Sequence, residues 1–407
     1  MDPLRDRTIV LGVGGSIACY KAVDLASRLV KAGAHVDVVM TANATKFVTP
    51  LCFRAITHRP VVDDLWDPTS ELAVEHVGLA KRADAILIAP ATANLLVKLS
   101  LGFAEDALQT TVLDSRAPLV IAPAMEGTMY AAQTTQEHIG RLRGRGATFV
   151  EPEEGRLASG LMGRGRLADP ETILGTLRQV LARGGDLAGR RIVVSAGGTQ
   201  EPIDPVRIIT NRSSGKMGFA IAAAARDRGA HVTLIATPTT DALPPPFGAE
   251  MVRVGTVLEM HAAVRAAVAQ GDALIMAAAV SDYRVANPAT QKIKKRGAAA
   301  DGLTIALVPN PDILAETPGT FVRVGFAAES EELLANAAQK LIKKDLDLIV
   351  ANDITGEGSG FGSDTNRVTL IARGGGAEEL PVLPKRAVAD AILDRIVAIL
   401  AGREETR

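Results

Sequence analysis

Polar side chains in this sequence gather where apolar runs end, and the chemistry of the chain is sought there. In the C-terminal half, Thr210, Asn211, Arg212, Ser213, Ser214, Gly215, Lys216 and Met217 follow a long polar stretch and open a predicted helix. Hydroxyls, backbone N–H groups and cations at a helix start suit an anion. The segment is not a P-loop: no Gly sits five positions before Gly215, and Met217 stands where that motif has Ser or Thr. Asp282 ends a second apolar run, with Lys292, Ile293, Lys294 and Lys295 beyond it. Lys340 and Lys344 lie four apart, hence on one helix face, a spacing that by itself more often marks a solvated surface. A carboxylate beside so many cations fits a nucleoside triphosphate carrying Mg2+, with Asp282 toward the metal.

The N-terminal half offers a second set. Gly12, Gly14 and Gly15 are spaced G-x-G-G and fall short of the dinucleotide fingerprint. With Ser16 they still present N–H groups and a hydroxyl at a helix start, room for one phosphate. One phosphate fits a mononucleotide such as FMN better than a pyrophosphate. Thr92 and Asn94, after Pro90, suit either a helix cap or a ligand contact. His76 stands alone, and its near-neutral pKa makes it a candidate proton carrier.

The elements that must position these groups repeat. Thr8–Val13 is an apolar run, then comes a glycine loop, a helix to Lys31, a stop at Gly33, and a second run, His35–Met40. Residues 191–195, a long loop, a helix over 217–228, Gly229 and the run His231–Ala236 repeat the order. Strand, loop, helix, Gly, strand is a βαβ unit with a parallel sheet. Further apolar runs at 85–89, 119–122, 273–279, 321–326 and 348–350 predict more strands. The fold class is α/β, with two doubly wound Rossmann-like domains divided near Gly185. Ligands of such sheets bind outside the carboxyl ends of the strands.

Composition sets the outer limits. The 407 residues exceed one ordinary domain of about 150. Lys+Arg 45 against Asp+Glu 46 argues against bulk capture of nucleic acid or a membrane surface. Aromatic residues are only 3%, too few for base-stacking platforms. Cys19 and Cys52 are too few for a disulfide framework, which fits a reducing compartment. No basic-then-apolar leader opens the sequence, and no run reaches the roughly 20 apolar residues of a membrane span. The expected location is the cytoplasm.

Taken in order, residues 14–18, His76, 89–94, 122–125 and the Gly-rich stretch 155–167 resemble the flavin-dependent phosphopantothenoylcysteine decarboxylases, within the homo-oligomeric flavin-containing cysteine decarboxylases. The resemblance covers about 7–180 and makes 1–185 an FMN-binding decarboxylase domain. It implies FMN contacts at Gly14, Gly15, Ser16, Ile17, Thr41, Pro90, Thr92 and Asn94. It also implies that FMN oxidises the cysteine thiol side to a thioaldehyde, which stabilises the carbanion left by CO2. His76 matches the family's active-site histidine. Two positions depart: Glu126 stands where the family often has Asn, and Ser159, in the Gly-rich flap, where it often has the proton-donating Cys. A second carboxylate repels the departing one unless protonated or aimed elsewhere, and a hydroxyl is a far weaker acid than a thiol. The replacement donor is either Glu126 or another group.

Thr210 to Gly218, together with Lys292 to Lys295, resemble the bacterial CTP-using phosphopantothenate–cysteine ligases, over about 188–400. The resemblance makes 186–407 a ligase domain in which a 4′-phosphopantothenate carboxylate attacks CTP and cysteine displaces CMP. It implies Asn211 on the acyl-cytidylate and Lys292 in its conversion. Nucleotide contacts would be Met276, Ala277, Ala278, Asp282, Pro311, Asp312, Ile313, Leu314, Phe326, Lys340 and Lys344. Residues 287–300 would form a lid. Ligase dimers and decarboxylase trimers, together as many as twelve subunits, are implied as well. Competing readings are a ligase with a silent flavin half, a regulatory flavoprotein without turnover, and a nicotinamide dehydrogenase, the last weakened by the missing fingerprint.

Overall fold

The chain divides between Arg183 and Gly184 into two units. The computed structural model describes residues 2–66, 75–294, 303–329, 333–353 and 362–405.

The first unit runs β1 (Thr8–Val13), α1 (Cys19–Lys31), β2 (His35–Met40), α2 (Pro50–Thr57), β3 (Val61–Val62), α3 (Glu75–Arg82), β4 (Ala85–Ala91), α4 (Ala93–Leu101), α5 (Ala107–Asp114), β5 (Leu119–Pro123), α6 (Gly127–Ala131), α7 (Gln133–Gly144) and β6 (Thr148–Phe149). β7 (Glu153–Arg156), β8 (Met162–Arg166) and α8 (Pro170–Ala182) complete it. Six strands make one sheet, ordered β3-β2-β1-β4-β5-β6, and every pairing is parallel. The order reverses between β1 and β4, which opens a crevice above their carboxyl ends. Both faces are covered, so alternate residues of β1 enter different cores. Ile9, Leu11 and Val13 join one and Val10 the other. On α1, Cys19, Ala22, Leu25, Ala26 and Leu29 make the buried stripe, at the three- and four-residue spacing of one helix face.

The Gly-rich stretch is a hairpin rather than a loop. β7 and β8 pair antiparallel, and Leu157 N–H closes the tip on the Leu161 carbonyl at 2.8 Å. Its base is fixed by Met125 N–H donating to the Gly165 carbonyl at 3.0 Å. A Cβ at position 165 would lie 2.2 Å from the Met125 carbonyl oxygen, so only glycine fits that approach.

The second unit runs β9 (Arg191–Ala196), β10 (Gln200–Pro202), β11 (Ile208–Thr210), α9 (Lys216–Asp227), β12 (His231–Ala236), β13 (Glu250–Arg253), α10 (Val257–Val268), β14 (Ala273–Met276), β15 (Tyr283–Val285) and β16 (Leu307–Pro309). Then come β17 (Val322–Glu329), α11 (Leu333–Lys343), β18 (Leu348–Asp353), β19 (Thr365–Asn366), β20 (Val368–Ala372), β21 (Ala377–Glu379), β22 (Leu383–Pro384) and α12 (Lys385–Glu405). Its main sheet is ordered β13-β12-β9-β14-β17-β18-β20-β21. The first six strands are parallel and repeat the winding of the first unit; β20 and β21 add an antiparallel edge. The polar stretch 197–211, expected as a loop, contains the hairpin β10–β11. The run 273–279 is a shorter strand than expected. β14 stops at Met276, because 277–282 turn toward the loop after β9: Ala278 N–H donates to Ser195 Oγ at 3.1 Å, and Ala279 N–H to the Gly197 carbonyl at 2.8 Å.

Candidate functional sites

In the first unit, the ends of β1, β2 and β4 border a cavity of about 460 Å3. Gly14, Gly15, Ser16, Thr41, Thr92 and Asn94 line it. The loop after β1 is pressed into place: Gly14 N–H donates to the Pro90 carbonyl at 3.0 Å, and side chains at 14 and 15 would strike Pro90 O at 2.6 Å and Asn43 Cβ at 2.4 Å. Thr92 also caps α4, accepting from Leu95 N–H at 3.3 Å. The capping and ligand readings of Thr92 are therefore compatible. A phosphate-sized cradle of glycine backbone, three hydroxyls and the amides of Asn43 and Asn94 suits a mononucleotide, and the volume is that of a small-ligand site.

The other residues expected here fall outside that lining. Ile17 is 58% exposed, and Pro90 is buried, acting through its carbonyl. His76 is half-buried in the first turn of α3. Glu126 is the N-cap residue of α6 but makes no side-chain cap bond. Ser159 is exposed at the hairpin tip, with its Oγ accepting from Leu161 N–H at 3.4 Å. Sequence reading missed Asn43, Lys98 and Asp106 on the cavity wall. Lys98 was findable: four residues beyond Asn94, it shares a face of α4.

The second unit holds a cavity of about 630 Å3 above the carboxyl ends of its central strands. Asn211, Met276, Ala277, Ala278, Asp282, Phe326, Lys340 and Lys344 line it, as do Pro311, Asp312, Ile313 and Leu314. These residues come from seven separate stretches, and polar contacts tie several together. Thr210 Oγ1 donates to the Thr199 carbonyl at 2.8 Å, and Asn211 Nδ2 to the Ala279 carbonyl at 3.2 Å. Ser281 N–H donates to Thr199 Oγ1 at 3.0 Å. Asn310 Nδ2 donates to the Ser281 carbonyl at 2.9 Å, and Asn310 N–H to the Asp282 carbonyl at 2.8 Å. Lys344 is paired with Asp312 at 3.0 Å.

Cations outnumber carboxylates among the described lining residues: Arg212, Lys216, Lys340, Lys344 and Lys385 against Asp282 and Asp312, with Asp364 paired to Lys216 outside the lining. An anionic ligand of several charges offsets that excess. Burial, and then the nearby Lys216, push the Lys385 ammonium below the usual lysine range. No group of three His, Cys, Asp or Glu side chains is arranged as a metal site among the described residues. Asp312 is engaged by Lys344, which leaves the Asp282 carboxylate on the lining to suit a cation that arrives already bound to phosphate.

Lys292 lies outside the lining and is exposed, but its neighbour is clamped. Ile293 N–H donates to Asp204 Oδ2 at 3.2 Å, and its carbonyl accepts from the Arg207 guanidinium at 2.6 Å. Burial raises the Asp204 carboxyl, yet N–H donors from Val206, Ile293 and Arg207, with the Arg207 charge, outweigh it and bring the pKa to about 2. The expected lid at 287–300 is described only to Lys294, and Lys295 lies outside the described residues. Within the described part, Ala289 N–H is bonded to the Ile203 carbonyl at 2.9 Å. Sequence reading missed Asn366 and Lys385 on this cavity. The apolar run over β20 was the available signal for the strand beside them.

The family profile described as Flavoprotein matches residues 2–182, and the one described as DNA/pantothenate metabolism flavoprotein C-terminal domain matches 187–400. The chain is 45% identical over 399 residues to the coenzyme A biosynthesis bifunctional protein CoaBC of Escherichia coli (strain K12), covering 97% of each. It is 42% identical over 402 residues to the protein of that name from Bacillus subtilis (strain 168), covering 97% of this chain and 98% of that one. A crystal structure of the C-terminal domain of a CoaBC protein aligns with 54% of this chain and 99% of its own, at 37% identity and a TM-score of 0.46. Near-full-length identity of this order in both directions, with two consecutive family matches, means that the chain belongs to the family of bifunctional coenzyme A biosynthesis proteins.

Proposed function

We propose that the second unit is a CTP-dependent phosphopantothenate–cysteine ligase, and that the first is an FMN-dependent decarboxylase of the ligase product, phosphopantothenoylcysteine. The observation that carries the reading is the cationic cavity shared by Asn211, Asp282, Phe326, Lys340 and Lys344. A carboxylate cannot acylate an amine directly, because oxide is a poor leaving group. The 4′-phosphopantothenate oxygen attacks the α-phosphorus of CTP, pyrophosphate leaves, and an acyl-cytidylate forms. Cysteine nitrogen then attacks the acyl carbon and CMP leaves. Lys340 and Lys344 offset phosphate charge, Asp282 would hold a Mg2+ bound to the triphosphate, which would neutralise developing phosphate charge, and Asn211 holds the acyl-cytidylate. Lys292, placed by the Asp204–Arg207 clamp on Ile293, serves the conversion of that intermediate.

In the first unit, Ser16, Thr41 and the Gly14–Gly15 backbone would hold the FMN phosphate, and Thr92 and Asn94 would contribute further contacts to the cofactor. Bound FMN supplies the electron sink that decarboxylation requires and returns the electron pair at the end. His76 carries a proton, while Glu126 and Ser159 occupy the positions for substrate carboxylate and final proton donor. His76, Glu126 and Ser159 stand apart from the cavity lining of the single chain, which favours a site completed by assembly: trimers of the first unit and dimers of the second.

The test combines CTP, Mg2+, 4′-phosphopantothenate and cysteine with purified protein. CMP and pyrophosphate should appear in equal amounts, followed by CO2 and a yellow flavin spectrum. Absence of CMP release from folded protein overturns the ligase assignment; a colourless protein that cannot be loaded with FMN overturns the other.

A further inference from the structure

Two amide oxygens in the ligase cavity have no hydrogen-bond partner among the described residues. Asn352 Oδ1 and Asn366 Oδ1 are both buried and unpaired, and both residues line the cavity. Asn366 is only 2% exposed. Asn352 pairs with Val368 across β18 and β20, and Asn366 precedes Val368 by two residues. Strand alternation therefore puts the two amides on one face as diagonal neighbours. A buried carbonyl oxygen left without a donor is costly, so a pair of them on a cavity wall calls for a ligand that donates.

Most ligand groups of the reaction accept. Phosphates and carboxylates would meet the two oxygens with repulsion. The cytosine amine donates, but the family resemblance sets the nucleotide against Ala277, Ala278 and Ile313, on other stretches of the lining. The ribose and pantothenate hydroxyls and the pantothenate amide give one hydrogen each; besides the cytosine amine, the amine of the acyl acceptor is the group that offers two from one atom. We infer that Asn352 and Asn366 hold the α-amino group of cysteine, an inference that rests on the ligase reading. A neutral amine has two N–H bonds and one lone pair. Two amide oxygens take the two hydrogens, one each, and leave the lone pair for the acyl carbon.

The surrounding charges fit that state. Lys385 donates to the Ser363 and Thr365 carbonyls, on either side of Asp364 and immediately before Asn366. Lys216 binds Asp364 at 2.7 Å. With Asp364 offsetting Lys216, the net charge left is that of Lys385, which disfavours a further positive charge on the bound amine and attracts the carboxylate of the same amino acid. In the transfer, the nitrogen–carbon bond forms and the carbon–oxygen bond to CMP breaks. CMP takes the electron pair, and the nitrogen gives one proton to the departing phosphate.

The experiment compares two half-reactions. CTP–pyrophosphate exchange with 4′-phosphopantothenate needs no cysteine; amide formation does. In Asn366→Ala and Asn352→Ala the KM for cysteine should rise by at least about tenfold, with exchange within about threefold of wild type. Melting curves identify folded variants, and Asn366→Ser and Asn352→Ser are run in parallel. The unmodified protein gives an independent reading: 3-mercaptopropionate, cysteine without its amine, should compete with cysteine at least about tenfold more weakly than cysteine binds. An unchanged cysteine KM in folded variants overturns the inference, as does loss of exchange with cysteine KM intact, which would make the amides phosphate ligands. Equal binding of the desamino analogue overturns it too. Failure of the unmodified protein to exchange CTP overturns the ligase reading itself, and the inference with it.

Discussion

At the scale of single residues, the proposed chemistry depends on a few charges and two substitutions within the family pattern. Asp282 is exposed on the cavity wall, so its removal should leave folding intact. Asp282→Ala should raise the KM for CTP about tenfold without moving the melting temperature, the size of one lost charge-assisted contact; steady-state kinetics check it. In the proposed site, Ser159 is a weaker acid than the cysteine often found there, and Glu126 brings a carboxylate to the position proposed to face the departing one. Ser159→Cys and Glu126→Asn should each speed CO2 release, together by about tenfold or more. Unchanged release of labelled CO2 would show that both positions have been compensated. The alternation of glycines and hydroxyls made the Gly14–Ser16 loop and the stretch from Asn211 to Met217 legible from sequence as places to look for a site, and both line cavities. The particular nucleotide and substrate contacts were not legible from spacing. They come from seven stretches of chain, and only family resemblance ordered them.

At the scale of elements, two small pieces of antiparallel structure present the site residues. Apolar runs closed by glycine were easy to read, and β1, β2 and β12 begin and end where expected. The hairpins were not, because β10–β11 carries Pro202, Asp204 and Pro205, and β7–β8 carries four glycines; both look like loops. Gly165→Ala would drive a methyl into the Met125 carbonyl, so it should destabilise the first unit by about 1–3 kcal/mol and slow CO2 release more than ligation. Chemical denaturation and the two activity assays read these effects separately. The Asp204 clamp has a pH signature. Its folded pKa of about 2 lies below the ordinary 3.8, so its contribution is complete above the higher value and is lost as pH falls from about 4 through about 2. Asp204→Asn should abolish that acid dependence in amide exchange at Ile293, and it should lower ligation at neutral pH by misplacing Lys292.

At the scale of the whole molecule, the chain is two windings of one fold with different attachments. Both sheets reverse direction between the first and fourth strands of their windings, and each cavity lies over that reversal. The second carries an added antiparallel edge, β20–β21; β20 pairs Val368 with Asn352 of β18, and Asn366, on β19, precedes it. That edge escaped sequence reading, since β20 is five residues long and Arg367 separates it from β19. No helix among the described residues is long and apolar enough to cross a membrane. Each unit has its own apolar cores, so fragments 2–183 and 184–407 should fold separately, the first binding FMN and the second releasing CMP. A fragment that remains unfolded would show that the units depend on one another.

The central claim, that the second unit's cationic cavity binds a cytidine triphosphate, is tested most directly by calorimetric titration of the folded protein with CTP and Mg2+. Saturable heat should appear with CTP, weaken with ATP, and weaken about tenfold in Lys340→Ala and Asp282→Ala. No heat with CTP, or equal binding of CTP and ATP, would contradict the claim.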